Sequence, residues 1–247
     1  MKNTELYAYV LYFPSFYCRL KEVKKMDLLA QGIEQMKDQD YQGAAVSFQT
    51  YIEQSPDDPI GYINFGNVLL HVGDFNRAER FFQRALALDQ NAATAFYGIG
   101  NLYFEQEKYK QAAKYYKDAL TSGLEETDVY FMLGLSYQNL SDSIRALPYF
   151  QRARELETED IEIAFQYGLA LAQTDQLDKA TRLFHEVIEK NPMHSDAYYN
   201  LAIALLYQEQ TDQAIMYLHD VLAIDSEHEM AKQTLAQVQY ILEEDQD

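Results

Sequence analysis

A glycine recurs every 34 residues through this chain, at Gly32, Gly66, Gly100, Gly134 and Gly168, and the series continues at Ala202. An alanine follows each member 12 positions later: Ala44, Ala78, Ala112, Ala146, Ala180 and Ala214. No insertion or deletion breaks the register across the six units. Units held in such strict phase are not independent domains, because each has to bury its apolar face against the next. They are turns of one stacked array.

Within most units apolar residues fall at i, i+3, i+4 and i+7 around the small residue, the stripe of a buried amphipathic helix. Tyr62, Phe65, Gly66 and Leu69 illustrate it, and Tyr130, Leu133, Gly134 and Tyr137 repeat it. After a polar turn, such as His71-Val72-Gly73-Asp74-Phe75, a second stripe runs through Ala78, Phe82 and Ala85. Asp40, Asp74 and Asp142 stand where a side chain would cap the free amides of that second helix. The fold expected is therefore all-α, six helix-turn-helix hairpins. The pair Gly66 and Ala78 is expected to mark close approach of the two helix backbones. Pro56 and Pro192 end second helices, whereas Pro148 lies early inside one and is expected to bend it.

These residues resemble the tetratricopeptide repeat (TPR) family, whose 34-residue pattern carries a large residue, Leu-Gly, an aromatic, Ala, an aromatic, Ala and then Pro. Residues 58–91 match best, with Tyr62, Phe65-Gly66, Leu69, Ala78, Phe82 and Ala85 in place. The chain departs from the pattern in having no tryptophan, Ala202 for glycine, Tyr51 for alanine, and proline only at Pro56 and Pro192. The resemblance implies a right-handed superhelix, an α-solenoid whose first helices line the concave side. Repeats are expected at 25–58, 59–92, 93–126, 127–160, 161–194 and 195–228. Residues 229–244 form a C-terminal capping helix and 245–247 an acidic tail. Gln31 and Gln35 in the first hairpin, and Lys232 and Gln239 in the last helix, replace core residues, as the ends of an array require.

The first 25 residues are aromatic, mildly basic and outside the repeat pattern, and they hold the only cysteine, Cys18. One reading is a secretory or lipoprotein signal, with Lys2 as its charge and residues 6–18 as a short apolar run. Tyr7, Tyr9, Tyr12, Pro14 and Tyr17 make that core a poor one, and Phe16-Tyr17 are not the small residues a lipobox uses. The preferred expectation is translated upstream sequence, with initiation at Met26. Lys21-Glu22-Val23 is encodable as a bacterial ribosome-binding sequence at suitable spacing, and the first hairpin is expected to begin at that methionine.

The 247-residue chain carries a net charge of −19, which repels a phosphate backbone, so no nucleic-acid partner is expected. It has no run of 18 or more apolar residues, so no spanning helix is expected. A single cysteine excludes an intrachain disulfide and fits a reducing, cytoplasmic setting. No phosphate-binding glycine loop, zinc motif or nucleophile elbow occurs. His185 and His219, like His194 and His228, lie one repeat apart, too distant to share zinc, and are expected to be solvated. Neither a cofactor, a metal nor an enzymatic activity is expected.

What remains is a surface. Positions two, five, six, nine, twelve and thirteen of each repeat are expected to face the groove. The residues chosen are Ile63, Asn64, Asn67 and Leu70; Tyr97, Asn101 and Phe104; Asp128, Phe131 and Leu135; Glu162, Phe165 and Leu169; and Asp196, Tyr199, Asn200, Ile203, Leu206 and Tyr207. Because the core stripe is already filled by other residues, this second apolar set needs a covering ligand. Asp128, Glu162 and Asp196 add a row of negative charge, thickened by Glu125, Glu126, Glu159 and Asp160. TPR proteins that bind chaperone C-termini hold a carboxylate with inner-helix Lys and Arg. Here the second, fifth and sixth positions of repeats two to six contain neither, so no carboxylate clamp is expected. The expected function is a bacterial scaffold or adaptor that binds an apolar, Lys/Arg-flanked peptide or helix, with self-association as a further option. The alternative is an envelope or membrane-associated assembly factor anchored through residues 1–25.

Overall fold

The computed structural model describes the backbone of residues 14–244 and the side chains of residues 26–244. The expectations for residues 1–13 and for the acidic tail lie outside the described residues. Among the described residues every regular element is an α-helix. The helices are α1 (Pro14–Lys37), α2 (Tyr41–Gln54), α3 (Pro59–His71), α4 (Phe75–Leu88), α5 (Ala93–Glu105), α6 (Tyr109–Thr121), α7 (Thr127–Asn139), α8 (Ser143–Leu156), α9 (Ile161–Gln173), α10 (Leu177–Lys190), α11 (Ser195–Tyr207), α12 (Thr211–Ile224) and α13 (Glu229–Glu244). None of them is long and apolar enough to cross a membrane. The hairpin α1–α2 does not begin at Met26. Its first helix starts upstream at Pro14 and passes through the boundary expected at residue 25.

The chain divides into two compact units, Met1–Leu124 and Glu125–Asp247. In the first, α1–α2, α3–α4 and α5–α6 are hairpins, with α2 packed on α3 and α4 on α5. In the second, α7–α8, α9–α10 and α11–α12 stack in the same way and α13 closes on α12.

Local chemistry sets the hairpin boundaries. The N–H of Gly43, of Arg77 and of Arg145 donates to the carboxylate of Asp40, Asp74 and Asp142 respectively, at 2.9, 3.2 and 3.1 Å, which are the caps the sequence predicts. Two first helices and the terminal helix are capped too: Asp160 accepts from the Ile163 N–H at 2.9 Å, and His194 and His228 accept through Nδ1 from Ala197 and Ala231 at 3.2 Å. At the other end of each first helix the chain turns through one left-handed residue. These fall at Gln39, Gly73, Glu107, Ser141, Asp175 and Glu209, with φ between 57° and 77°. The following amide reaches five residues back, as in Asp74 N–H to the Leu69 carbonyl at 2.9 Å, the closure of a Schellman turn. Only Gly73 takes that φ without a Cβ penalty. Helix α8 continues through Pro148, and Pro56 and Pro192 directly follow the C-caps Ser55 and Asn191.

The glycine beat has a different cause from the one expected. The nearest atoms to a Cβ built on Gly66 belong to the Phe82 ring, at 2.8 Å, and not to Ala78. A Cβ on Gly134 would meet the Phe150 ring at 2.7 Å, and one on Gly168 the Phe184 ring at 2.8 Å. Each glycine is thus the floor under a fully buried ring from the partner helix, sixteen residues on: Phe48, Phe82, Tyr116, Phe150 and Phe184. In the sixth unit Ala202 stands at the glycine position and Leu218, smaller than a ring and equally buried, at the ring position sixteen residues on, both in one core cluster. Interiors at crystal-like density leave no other arrangement: a methyl added below requires volume removed above.

Candidate functional site

The core and groove sets do not separate as cleanly as the sequence suggests. Fifth-position aromatics lean on the buried rings: Tyr97 on Tyr116 at 5.7 Å, Phe131 on Phe150 at 5.9 Å and Phe165 on Phe184 at 6.0 Å. Ile63 and Phe165 are each only 7% exposed, so they offer a ligand almost nothing. The reason is that a helix turn advances about 100° per residue, so position five still overlooks the seam between the paired helices. Tyr199 is half-buried against the His228 ring at 5.0 Å.

In the first unit, the polar positions are largely committed. Tyr116 occupies a site that is phenylalanine in four other repeats, so its hydroxyl needs an acceptor; it donates to Asn101 Oδ1 at 2.8 Å. The Asn64 amide donates to its own helix at the Ile60 carbonyl, 2.9 Å away. Phe104 is half-buried, edge-on to Tyr109 at 5.3 Å, and Asn67 and Leu70 are half-buried.

In the second unit the ninth, twelfth and thirteenth positions form an open strip. Leu135, Leu169, Ile203 and Leu206 are half-buried, and Tyr207 is 77% exposed. A cleft of about 420 Å³ lies between α9 and α11, lined by Leu169, Ala172, Asn200, Ile203 and Tyr207 among others. A second, of about 380 Å³, lies between α11 and α13, lined by Ile203, Leu206, Tyr207, Thr234, Val238 and Ile241 among others. Ile203 and Tyr207 line both clefts, which makes the strip continuous. Helix α13 is therefore a wall of this strip as well as a cap. Sequence reasoning missed Val238 and Ile241 because Lys232 and Gln239 at the aromatic positions read as a solvated end, although Leu235, Val238 and Ile241 follow one another at helical steps of three.

The strip lies in a negative field. Helices α7, α9 and α11 of the same unit contain no Lys or Arg. The basic residues stand on second helices, such as Arg152 and Arg154 on α8 and Lys179, Arg182 and Lys190 on α10. Lys232 of α13 is occupied by Glu227 and Glu229, each at 3.2 Å. Among the acidic row, Asp128, Glu162 and Asp196 are exposed in the first turns of α7, α9 and α11, where they also complement the helix dipole. Glu159 pairs with Lys190 at 3.1 Å and Asp160 caps α9, so both are consumed internally. Burial pushes Glu186 up, but Lys190 and Arg154 outweigh it and hold its carboxyl below the usual range.

Two of the histidines expected to be solvated are structural. His194 and His228 are half-buried caps, His194 also packs on Phe165 at 4.6 Å, and His228 Nε2 lies 3.6 Å from Asp196. Among the described residues no three His, Cys, Asp or Glu side chains converge on a point.

Family models for the tetratricopeptide repeat match residues 8–193 and 183–216. Among solved structures, the chain is 41% identical to YrrB, a TPR protein described as having an unusual peptide-binding site. That likeness covers 77% of this chain and 98% of YrrB with a TM-score of 0.75. It is 16% identical to PilF of Pseudomonas aeruginosa over 88% of this chain and 99% of PilF, also with a TM-score of 0.75, a likeness of fold alone. No curated protein sequence matches. Repeat period, capped hairpins, ring seats and the length of both matches agree, and the chain belongs to the tetratricopeptide repeat family.

Proposed function

We propose that the protein is a non-catalytic scaffold or adaptor whose binding site is the strip on α9, α11 and α13, and that its ligand is an apolar protein segment flanked by Lys or Arg. The observation that carries this is the continuity of the two clefts through Ile203 and Tyr207, on helices that bear no free cation. An exposed apolar strip of this kind marks an interaction site, and a negative surround selects a positive partner through long-range attraction. The peptide site described for YrrB, 41% identical to this chain, supports a binding role for the same fold. Asn200 lines the first cleft while its amide donates to the Asp196 carbonyl at 2.7 Å, which presents its oxygen as an acceptor for a peptide N–H or a lysine. Helices α7, α9 and α11 carry no Lys or Arg, which argues against a clamp for a terminal carboxylate at this strip.

The test is a pair of synthetic peptides with one apolar core, flanked by lysines in one and glutamates in the other, titrated calorimetrically. The lysine peptide binds at least about tenfold tighter at low salt, and the gap narrows as salt rises. Tyr207→Ala removes most of the affinity of both. Equal affinities, or binding unaffected by Tyr207→Ala, overturn the assignment.

A further inference from the structure

The strip asks for an apolar segment with basic flanks, and the chain carries one itself. Residues 6–13 read Leu-Tyr-Ala-Tyr-Val-Leu-Tyr-Phe, without a charge, a proline or a glycine. Lys2 and Glu5 precede them, and Arg19, Lys21, Lys24 and Lys25 follow, with Glu22 among them. Residues 1–25 hold five Lys or Arg against two Glu, a net-basic piece in a chain of net charge −19. The strip opposite is uncharged along its floor, with Asp175 at the first cleft and Glu162 and Asp196 exposed on the first turns of α9 and α11. Reach also fits: eight residues, extended, span roughly 26 Å, and crossing from α9 over α11 to α13 at two helix spacings takes about 20 Å.

We propose that residues 6–13 of one copy occupy the α9–α11–α13 strip of a second copy, so that the protein assembles with itself through its own N-terminal segment. This rests on the groove reading above. A second copy is the donor because the segment has no linker of its own. Phe13 adjoins Pro14, the first residue of α1, which leashes the segment to the first hairpin, with three further hairpins between it and α9 in chain order. Segment and strip are different patches, so each contact is heterologous and leaves one segment and one strip to be satisfied by mutual exchange in a dimer or by propagation.

Two full-chain variants test this. Val10→Asp places a charge in the segment, and Tyr207→Asp places one in the strip at a side chain exposed enough to leave folding intact. By light scattering at micromolar concentration, the wild-type chain has at least twice the monomer mass, and each variant alone is monomeric. Mixing the two restores a 1:1 complex, because one intact segment meets one intact strip. A synthetic peptide of residues 1–13 binds Val10→Asp and binds Tyr207→Asp at least about tenfold more weakly. A monomeric wild type, or variants that stay assembled, overturns the proposal, as does a mixture that fails to associate. Wild-type monomers that pellet with anionic phospholipid vesicles, in a manner abolished by Val10→Asp, assign the segment to a lipid surface instead. If the residue 1–13 peptide fails while the lysine-flanked probe still binds, this occupant falls and the groove stands; if neither binds, both fall.

Discussion

The fifth and sixth hairpins follow the same plan with different parts. In α9–α10 a ring, Phe184, lies on Gly168; in α11–α12 the same register positions hold an aliphatic side chain, Leu218, and Ala202, and all four are buried. Their first helices also begin differently, α9 on the carboxylate of Asp160 and α11 on the imidazole of His194. The difference teaches that these two hairpins keep a similar summed volume and a capped first-helix amide, and that residue identity is secondary to both.

The largest expected effects come from emptying those seats. Phe184→Ala leaves a hole under a rigid helix pair and costs about 3–5 kcal/mol, and Leu218→Ala about 2–5 kcal/mol, read by urea unfolding. Next comes the exchange itself. Gly168→Ala puts a methyl 2.8 Å from the Phe184 ring and costs about 1–3 kcal/mol. Adding Phe184→Leu converts the fifth hairpin into the pattern of the sixth and restores part of that loss. The reciprocal change, Leu218→Phe, overpacks the sixth seat, and Ala202→Gly relieves it. Coupling energies near zero in both double-mutant cycles would show that the seats do not set the repeat.

That exchange also shows what was legible in the sequence. The 34-residue period, the hairpins and the caps Asp40, Asp74 and Asp142 follow from spacing and capping chemistry alone. The meaning of the glycines did not, because reading each glycine against the alanine 12 residues on looks for backbone contact, while the ring that needs the space is 16 residues on. The signal was present in the coincidence of Ala202 with Leu218. Half of the candidate site was legible in the same sense: Leu169, Ile203, Leu206 and Tyr207 emerge on the open strip, whereas Ile63 and Phe165 are drawn into the seam. The left-handed turn residues were not, since Gln39, Glu107, Ser141, Asp175 and Glu209 share a backbone need and no side chain.

Smaller effects separate the caps. His194→Ala removes the acceptor for the Ala197 N–H and the contact with Phe165, costing about 1 kcal/mol or somewhat more. His194→Asn keeps the acceptor and recovers a part of it. Asp160→Ala costs about 1 kcal/mol through the cap alone. Smaller again is Asp175→Gly, which relieves a left-handed non-glycine residue but loosens the unfolded chain, for a net gain of at most about 1 kcal/mol.

The least costly change in neutral solution concerns the phenols, which the seats of the fifth and sixth hairpins lack and the first unit uses. Burial, reinforced by the carboxylate of Glu79 that accepts its O–H at 2.8 Å, pushes Tyr103 up to about 12. Burial pushes Tyr116 up further, with Tyr97 and Glu105 adding to it. A phenol that holds its proton more tightly when folded than its ordinary value near 10 stabilises the fold fully below that pH. The contribution is lost as pH rises through the folded value. Stability of the first unit is therefore flat with respect to these groups up to about pH 10 and falls between about 10 and 12. Tyr116→Phe turns the third seat into the phenylalanine form of the fifth; at neutral pH Asn101, half-exposed, finds water in place of the hydroxyl, and the cost stays within about 1 kcal/mol. In alkaline titration followed by circular dichroism, the same variant unfolds at higher pH than the wild type, because the ring that remains has no proton to lose.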